Sequence, residues 1–217
     1  MYLPAHFEET RPDRLHALLR LHPLGLLITH DRQGDAVADA LPLMLLPDAA
    51  PDHPQGKLIG HVARANPLWQ GASVGRPVLV VFQGPEGYIS PSGYAAKAEH
   101  GKVVPTWNYA VVQARGPLRV VDEPGAARAL VTRLTAHHEA PLKKPWGLGD
   151  APADYIAAML RAIVCIEIPL TSLVGKYKLG QNRSAADVAG VVAALTAGPP
   201  SDQALAAWMQ QPPAAPT

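Results

Sequence analysis

Cysteine is all but missing from this chain. The single thiol, Cys165, has no partner for an internal disulfide, which points to a reducing compartment, and its place in the apolar run AIVCIEI reads as buried and inert. Long hydrophobic runs are missing too. None approaches the roughly 20 residues that span a bilayer, and the opening MYLPAHFEET has no basic segment followed by an apolar core, so a soluble, cytoplasmic protein is expected. Excess charge of either sign is absent: 19 Lys and Arg against 18 Asp and Glu leave a net +1, with no bulk attraction for nucleic acid. No GxGxxG, GKS/T or GxSxG pattern occurs, which removes the commonest dinucleotide, P-loop and serine-hydrolase readings. There is no internal repeat and no metal-spaced pairing. His137, His138 and Glu139 are adjacent at the end of a predicted helix and do not share a face, so no metal site is expected.

What remains is an ordinary globular composition. With 217 residues, 48% hydrophobic and 17% charged, the chain is long enough to bury one substantial core. Thr10-Arg11-Pro12-Asp13 resembles a capping box, and Leu15, Leu18 and Leu19 continue it as a helix from about Arg11 to His22. Leu24 to His30, the turn DRQGD and AVADALPLMLL read as a hairpin, with Pro42 marking an edge or an irregular ladder. KLIGHVA gives the next strand and ANPLWQGAS a helix start. PVLVVFQG is the strongest strand signal, and GPEG predicts a tight turn into YISPS. GYAAKAEHGK reads as a loop, and VVPTWNYAVVQARGPLRVVD as a long strand bent at Gly116-Pro117.

Pro124 opens a further helix, which Asp122 or Glu123 would cap. ADYIAAMLRA is helical, AIVCIEI a buried strand, and Ser184 to Asp187 a capping box for a helix whose apolar face is Val188, Val191, Val192 and Leu195. The expectation is one domain over 1–198 and a Pro/Ala-rich tail over 199–217. That tail, with one short helix from about Asp202 to Gln211, is expected to be poorly ordered or packed on a neighbour.

The stretch from Gly60 to Tyr109 concentrates unusual polar and aromatic side chains between short apolar runs, as the wall and rim of a binding site would. His61, Arg64 and Asn66 fall beside a predicted helix N-terminus, an arrangement suited to a phosphate and equally to a capped helix with an exposed arginine. Trp107 supplies an aromatic, Gln83, Asn108, Gln181 and Asn182 supply amides, and Lys178 and Arg183 supply cations. A planar heteroaromatic with hydrogen-bonding edges and a phosphate tail would use all of these, and FMN is such a molecule. Taken singly, a strand tryptophan is commonly core and KxxQNR a solvated turn.

The blocks MYLPAHF, GHVARANPLW, VLVVFQGPEGYISPS, VPTWNY and KLGQNR, in this order, are similar to the PaiB-type FMN-binding family, described as negative transcriptional regulators of protease production and sporulation. The likeness covers about Met1 to Leu195. It implies an α+β protein with a mainly β core, a split β-barrel of the pyridoxamine 5′-phosphate oxidase-like kind with flanking helices, forming a homodimer with FMN at the subunit interface. By that resemblance His61, Arg64 and Asn66 would face the phosphate and ribityl chain, and Gln83, Trp107 and Asn108 would border the isoalloxazine. Lys178, Gln181, Asn182 and Arg183 would close the pocket from the partner subunit. Two blocks depart from the family: SPSWY is here Ser90-Pro91-Ser92-Gly93-Tyr94, and VHVYG is Val112-Gln113-Ala114-Arg115-Gly116. The same pocket also suits a flavin-dependent oxidoreductase, whose chemistry FMN would supply. A third reading is a haem-binding module with His61 or His100 as axial group.

Overall fold

The computed structural model describes residues 1–123 and 125–214. Along the chain run β1 (Glu8–Glu9), α1 (Pro12–Leu21), β2 (Leu24–His30), β3 (Ala36–Pro42), β4 (Met44–Leu46), β5 (Lys57–Ala63) and β6 (Pro77–Ile89). They are followed by α2 (Ala96–Glu99), β7 (Thr106–Pro117), β8 (Arg119–Val121), α3 (Ala126–Glu139) and α4 (Ala153–Arg161). Last come β9 (Ile163–Pro169), β10 (Ser172–Lys178), α5 (Ala185–Thr196) and α6 (Pro200–Gln210). The sheets are antiparallel and carry helices, as an α+β chain requires. These elements gather into two compact units interleaved along the chain, one of 1–22, 81–113 and 173–217, the other of 23–80 and 114–172.

In the first unit the strand order is β1-β10-β7-β6. Its inner face is read from alternation: Phe82 and Gly84 on β6 and Asn108, Ala110 and Val112 on β7 are buried. Helix α1 lies against β10, where Gly175 leaves room for Leu15 and the Tyr177 hydroxyl donates to the Arg14 carbonyl at 2.9 Å. Thr10 does not cap α1. The N-cap is Arg11, whose backbone N–H is taken instead by the Glu9 carboxylate at 3.0 Å. Burial of Tyr177 pushes its phenol well above the ordinary value.

GPEG is not a turn. Strand β6 runs unbroken through 13 residues, and the burial alternation shifts by one at Pro85 and Glu86, so Gly87 and Ile89 face inward while Glu86 and Tyr88 face outward. A glycine pair in the sequence suggests a reversal, but here it marks a register shift within a strand. The tail carries the expected short helix, but it packs on this chain's own core. Residues 200–210 form α6, whose Leu205 and Ala206 are buried and whose Trp208 packs on Tyr177 and His22 at centroid distances of 5.6 and 5.8 Å. Leu205 sits over Gly87. Ser184 does cap α5, accepting from the Asp187 N–H at 3.1 Å. Where the family motif has tryptophan, Gly93 lies against α5: a Cβ on it would stand 3.2 Å from Val191 Cα, and one on Gly190 would stand 2.2 Å from the Gly93 carbonyl oxygen.

In the second unit β2 and β3 form the expected hairpin, pairing Leu24 with Pro42 through His30 with Ala36. A four-stranded sheet follows the order β4-β5-β9-β8. The predicted bend is real. At Gly116 the chain passes so close to Pro169 that a Cβ would lie 1.8 Å from the Pro169 carbonyl oxygen, and Thr171 closes the crossing by donating its N–H to the Arg115 carbonyl at 2.9 Å. Helix α3 covers one sheet face, burying Leu130 against Ile59 and Cys165. Its cap differs from the expectation: Gly125 stands at the N-cap with no side-chain bond, Asp122 is engaged elsewhere, and Pro124 lies outside the described residues.

Candidate functional site

The motif GHVARANPLW divides between two sides of the second unit. His61 on β5 pairs in register with Cys165 on β9, placing both on the face beneath α3. Its Nδ1 is buried with no hydrogen-bond partner, and burial holds the imidazole below its ordinary value of 6.5, hence neutral at pH 7. Burial also pushes the Cys165 thiol up, with Asp122 and Glu167 adding to the effect, so this cysteine is the inert thiol the sequence indicates.

Arg64 is fully committed. Its guanidinium grips Asp122 in a two-pronged ion pair at 2.6 and 2.9 Å, donates to the carbonyls of Arg161 and Ile163, and lies 5.5 Å from the Trp69 ring. The pair raises the arginine and holds Asp122 below the usual carboxylate range. The junction after β5 is not a helix start but one 3-10 turn, Pro67–Gln70, whose Leu68 N–H is already taken by the Asn66 side chain at 2.8 Å. An anion end built from free helical N–H groups and Arg64 is therefore not assembled here.

Asn66 turns the other way, into a cleft of about 650 Å³. The β2–β3 hairpin supplies Thr29, Arg32, Val37 and Asp39 to this cleft, and the turn after Asn66 supplies Leu68 and Ser73. Asn66 Nδ2 reaches Asp39 at 3.4 Å, and Ser73 Oγ accepts from the His30 N–H at 2.8 Å. These hairpin residues escape a reading of the sequence because DRQGD carries only a turn signal. Nothing in its pattern reveals that Arg32 lines the same cleft as Asn66 or that Asp39 reaches the Asn66 amide.

In the first unit the ring-binding candidates sort by strand alternation. Gln83 and Trp107 share the outward face of β6 and β7, since Gly84 and Ala110 meet on the inner one. Trp107 is 47% exposed, its indole N–H donates to Glu86, and Tyr88 meets it edge-on at 6.3 Å. Lys178 joins this face, its ammonium donating to Thr106 Oγ1 and to the Trp107 carbonyl, and burial lowers its pKa. Asn108 does not join them. Only 3% exposed, it points inward and donates to Met209 Sδ at 3.6 Å. Gln181 spans the turn after β10, accepting from the Leu179 N–H and donating to the Tyr177 carbonyl. Arg183 lies 4.7 Å from the Tyr94 ring, and Asn182 is exposed. His100 accepts from the Lys102 N–H within its own loop. Among the described residues no group of three or more His, Cys, Asp or Glu could hold a metal ion, and no helix is long and apolar enough to cross a membrane.

The two half-buried imidazoles, His22 and His61, make a testable contribution to stability. Burial lowers both below 6.5, so the unfolded chain binds protons more readily. Stability is then full above about pH 6.5 and is lost as pH falls through the lowered folded values. Urea midpoints are expected to drop between about pH 7.5 and about pH 5.5, above the range where carboxylates titrate. The double variant His22→Gln, His61→Gln flattens the profile; an unchanged midpoint in the native chain would contradict the assignment.

Comparison with known proteins adds a family. Residues 1–172 match the family described as "Putative FMN-binding domain". An uncharacterised protein of Aspergillus fumigatus is 32% identical over 233 residues, covering 88% of this chain and 89% of its own. The "Protease synthase and sporulation protein PAI 2" of Bacillus subtilis is 30% identical over 195 residues, covering 90% and 89%. Among solved structures, the FAD and heme binding protein from Mycobacterium smegmatis superposes with a TM-score of 0.55 at 17% identity, covering 84% of this chain and 79% of that one. That likeness shows the fold alone, a split β-barrel of the flavin-binding type with flanking helices.

Proposed function

From the premise that this chain belongs to the FMN-binding domain family matched by its residues 1–172, we propose that it is a homodimeric flavoprotein of the PaiB type, with FMN held at the subunit interface. The observation that carries this reading is the cleft beside Asn66 together with the strand that borders it. Strand β3 buries none of its seven residues, yet its Val37 and Asp39 line the cleft. A strand that contributes no core face to its own protomer is explained by a partner that covers it, and such a partner would close the cleft over a ligand.

The residues present fit the ligand. The cleft is largely apolar with a few convergent polar groups, as cofactor sites are. Asn66 offers an amide and Arg32 a cation for the ribityl-phosphate end, while Thr29 and Ser73 add hydroxyls. Arg64, tied to Asp122, acts as a clamp that fixes the chain before Asn66 rather than as a phosphate ligand. Bound FMN supplies electron and hydride transfer, and the protein supplies position and polarity. The regulatory reading draws on the Bacillus subtilis relative's name, and with a net charge of +1 it favours action through the flavin over direct DNA contact.

The test is fluorescence titration of FMN into purified protein, with sedimentation to read the assembly. Asn66→Ala is expected to weaken FMN by about tenfold, the loss of one well-placed polar contact. Val37→Arg on the open strand is expected to yield monomers that no longer hold flavin. A Val37→Arg protein that binds FMN as tightly as the native chain would sink the interface reading, and unquenched FMN with the native chain would sink the cofactor itself.

A further inference from the structure

On the side of the second unit away from Asn66, a separate cleft of about 410 Å³ opens between α3 and α4. Its floor is apolar, formed by Val121, Ala127, Leu160, Ile163 and the Cys165 thiol. Its rim carries Arg128 from α3 and Arg161 from the end of α4, and neither side chain has a hydrogen bond or ion pair among the described residues. Arg64 and Asp122, also on the rim, neutralise each other, and Glu123 is the remaining acid. The lining thus holds three arginines against two carboxylates, an excess of one positive charge above an apolar floor.

We propose that this cleft is a second ligand site, for an amphiphilic monocarboxylate whose hydrocarbon body lies on the Leu160–Cys165 floor and whose headgroup is gripped by Arg128 and Arg161. A guanidinium presents a planar fork matched to a carboxylate, and two of them unpaired at the mouth of an apolar cleft leave donors that water alone now serves. The volume has room for about a dozen non-hydrogen atoms at the roughly 30 Å³ a water-sized group occupies in a liquid. Phosphate esters suit the site less well. A dianion would sit beside Asp122 and Glu123, which the single excess positive charge does not offset.

Decanoate is the probe, titrated calorimetrically into the full chain with decanol and decyl phosphate as parallel arms. Saturable decanoate binding with a Kd of roughly 0.1 mM is expected, in line with the free energy that about a dozen ligand atoms supply. The alcohol and the phosphate should bind at least about tenfold more weakly. Arg128→Gln and Arg161→Gln should each weaken decanoate about tenfold, and both substitutions should leave FMN titration unchanged, which separates this site from the flavin cleft. Ala157→Phe narrows the cleft and should block binding with both arginines present; if that variant fails to fold, the two arginine variants, both at exposed positions, decide between the outcomes. Equal affinity for decanoate and decanol, unaltered binding in the double arginine variant, or no saturable binding up to about 5 mM would each overturn the proposal.

Discussion

Gly116→Ala is expected to cost the protein several kcal/mol, at or above the ~1–3 kcal/mol typical of overpacking. The new methyl carbon would lie 1.8 Å from the Pro169 carbonyl oxygen and 3.3 Å from Ile168 Cγ2. Neither neighbour can yield cheaply. Pro169 is backbone at the end of β9, and the crossing is pinned by the N–H and hydroxyl of Thr171, both donating to the Arg115 carbonyl. Relief requires β7 and β9 to separate where β7 gives way to β8. The measurement is the urea midpoint, with Gly149→Ala as control, since nothing lies within 4 Å of a Cβ there. The control should change stability by no more than ~0.5 kcal/mol. A Gly116→Ala midpoint as high as the control's would show that the crossing opens freely.

The second large effect is expected at the other end of the chain. Trp208→Ala should lose ~3–5 kcal/mol, the range for removing a buried large aromatic. Trp208 is 7% exposed and makes ring contacts with Tyr177 and His22, so its loss leaves a cavity walled by α1 and β10. Removal of residues 199–217 should do more harm, since it also uncovers the inner face that Leu205 and Met209 shield at Gly87 and Asn108. Thermal unfolding of both variants decides the matter. A truncated chain that melts with the native one would mean that α6 adds nothing to the first unit.

That helix is where local reading of the sequence falls shortest. A segment rich in Pro and Ala has few large apolar residues, so its composition suggests a tail, and only the partners of Leu205 and Trp208 turn it into core. The hairpin β2–β3 was legible because DRQGD separates two clean apolar runs. GPEG misled because glycine and proline mark a register shift as readily as a reversal, and tertiary pairing decides between them. At the candidate site, residue types were legible and directions were not. Trp107 and Asn108 are neighbours in sequence and so, on a strand, face opposite ways. Arg64 reads as a free cation until Asp122, far along the chain, is seen beside it.

The contact of Gly93 with α5 constrains how this sequence can drift. Gly93 and Gly190 meet backbone to backbone: a side chain at 190 would strike the Gly93 carbonyl oxygen at 2.2 Å, and one at 93 would press on Val191 Cα at 3.2 Å. An indole at position 93, as in the SPSWY motif, would begin 3.2 Å from Val191 Cα, so the seat of α5 and a side chain at this position compete for the same space.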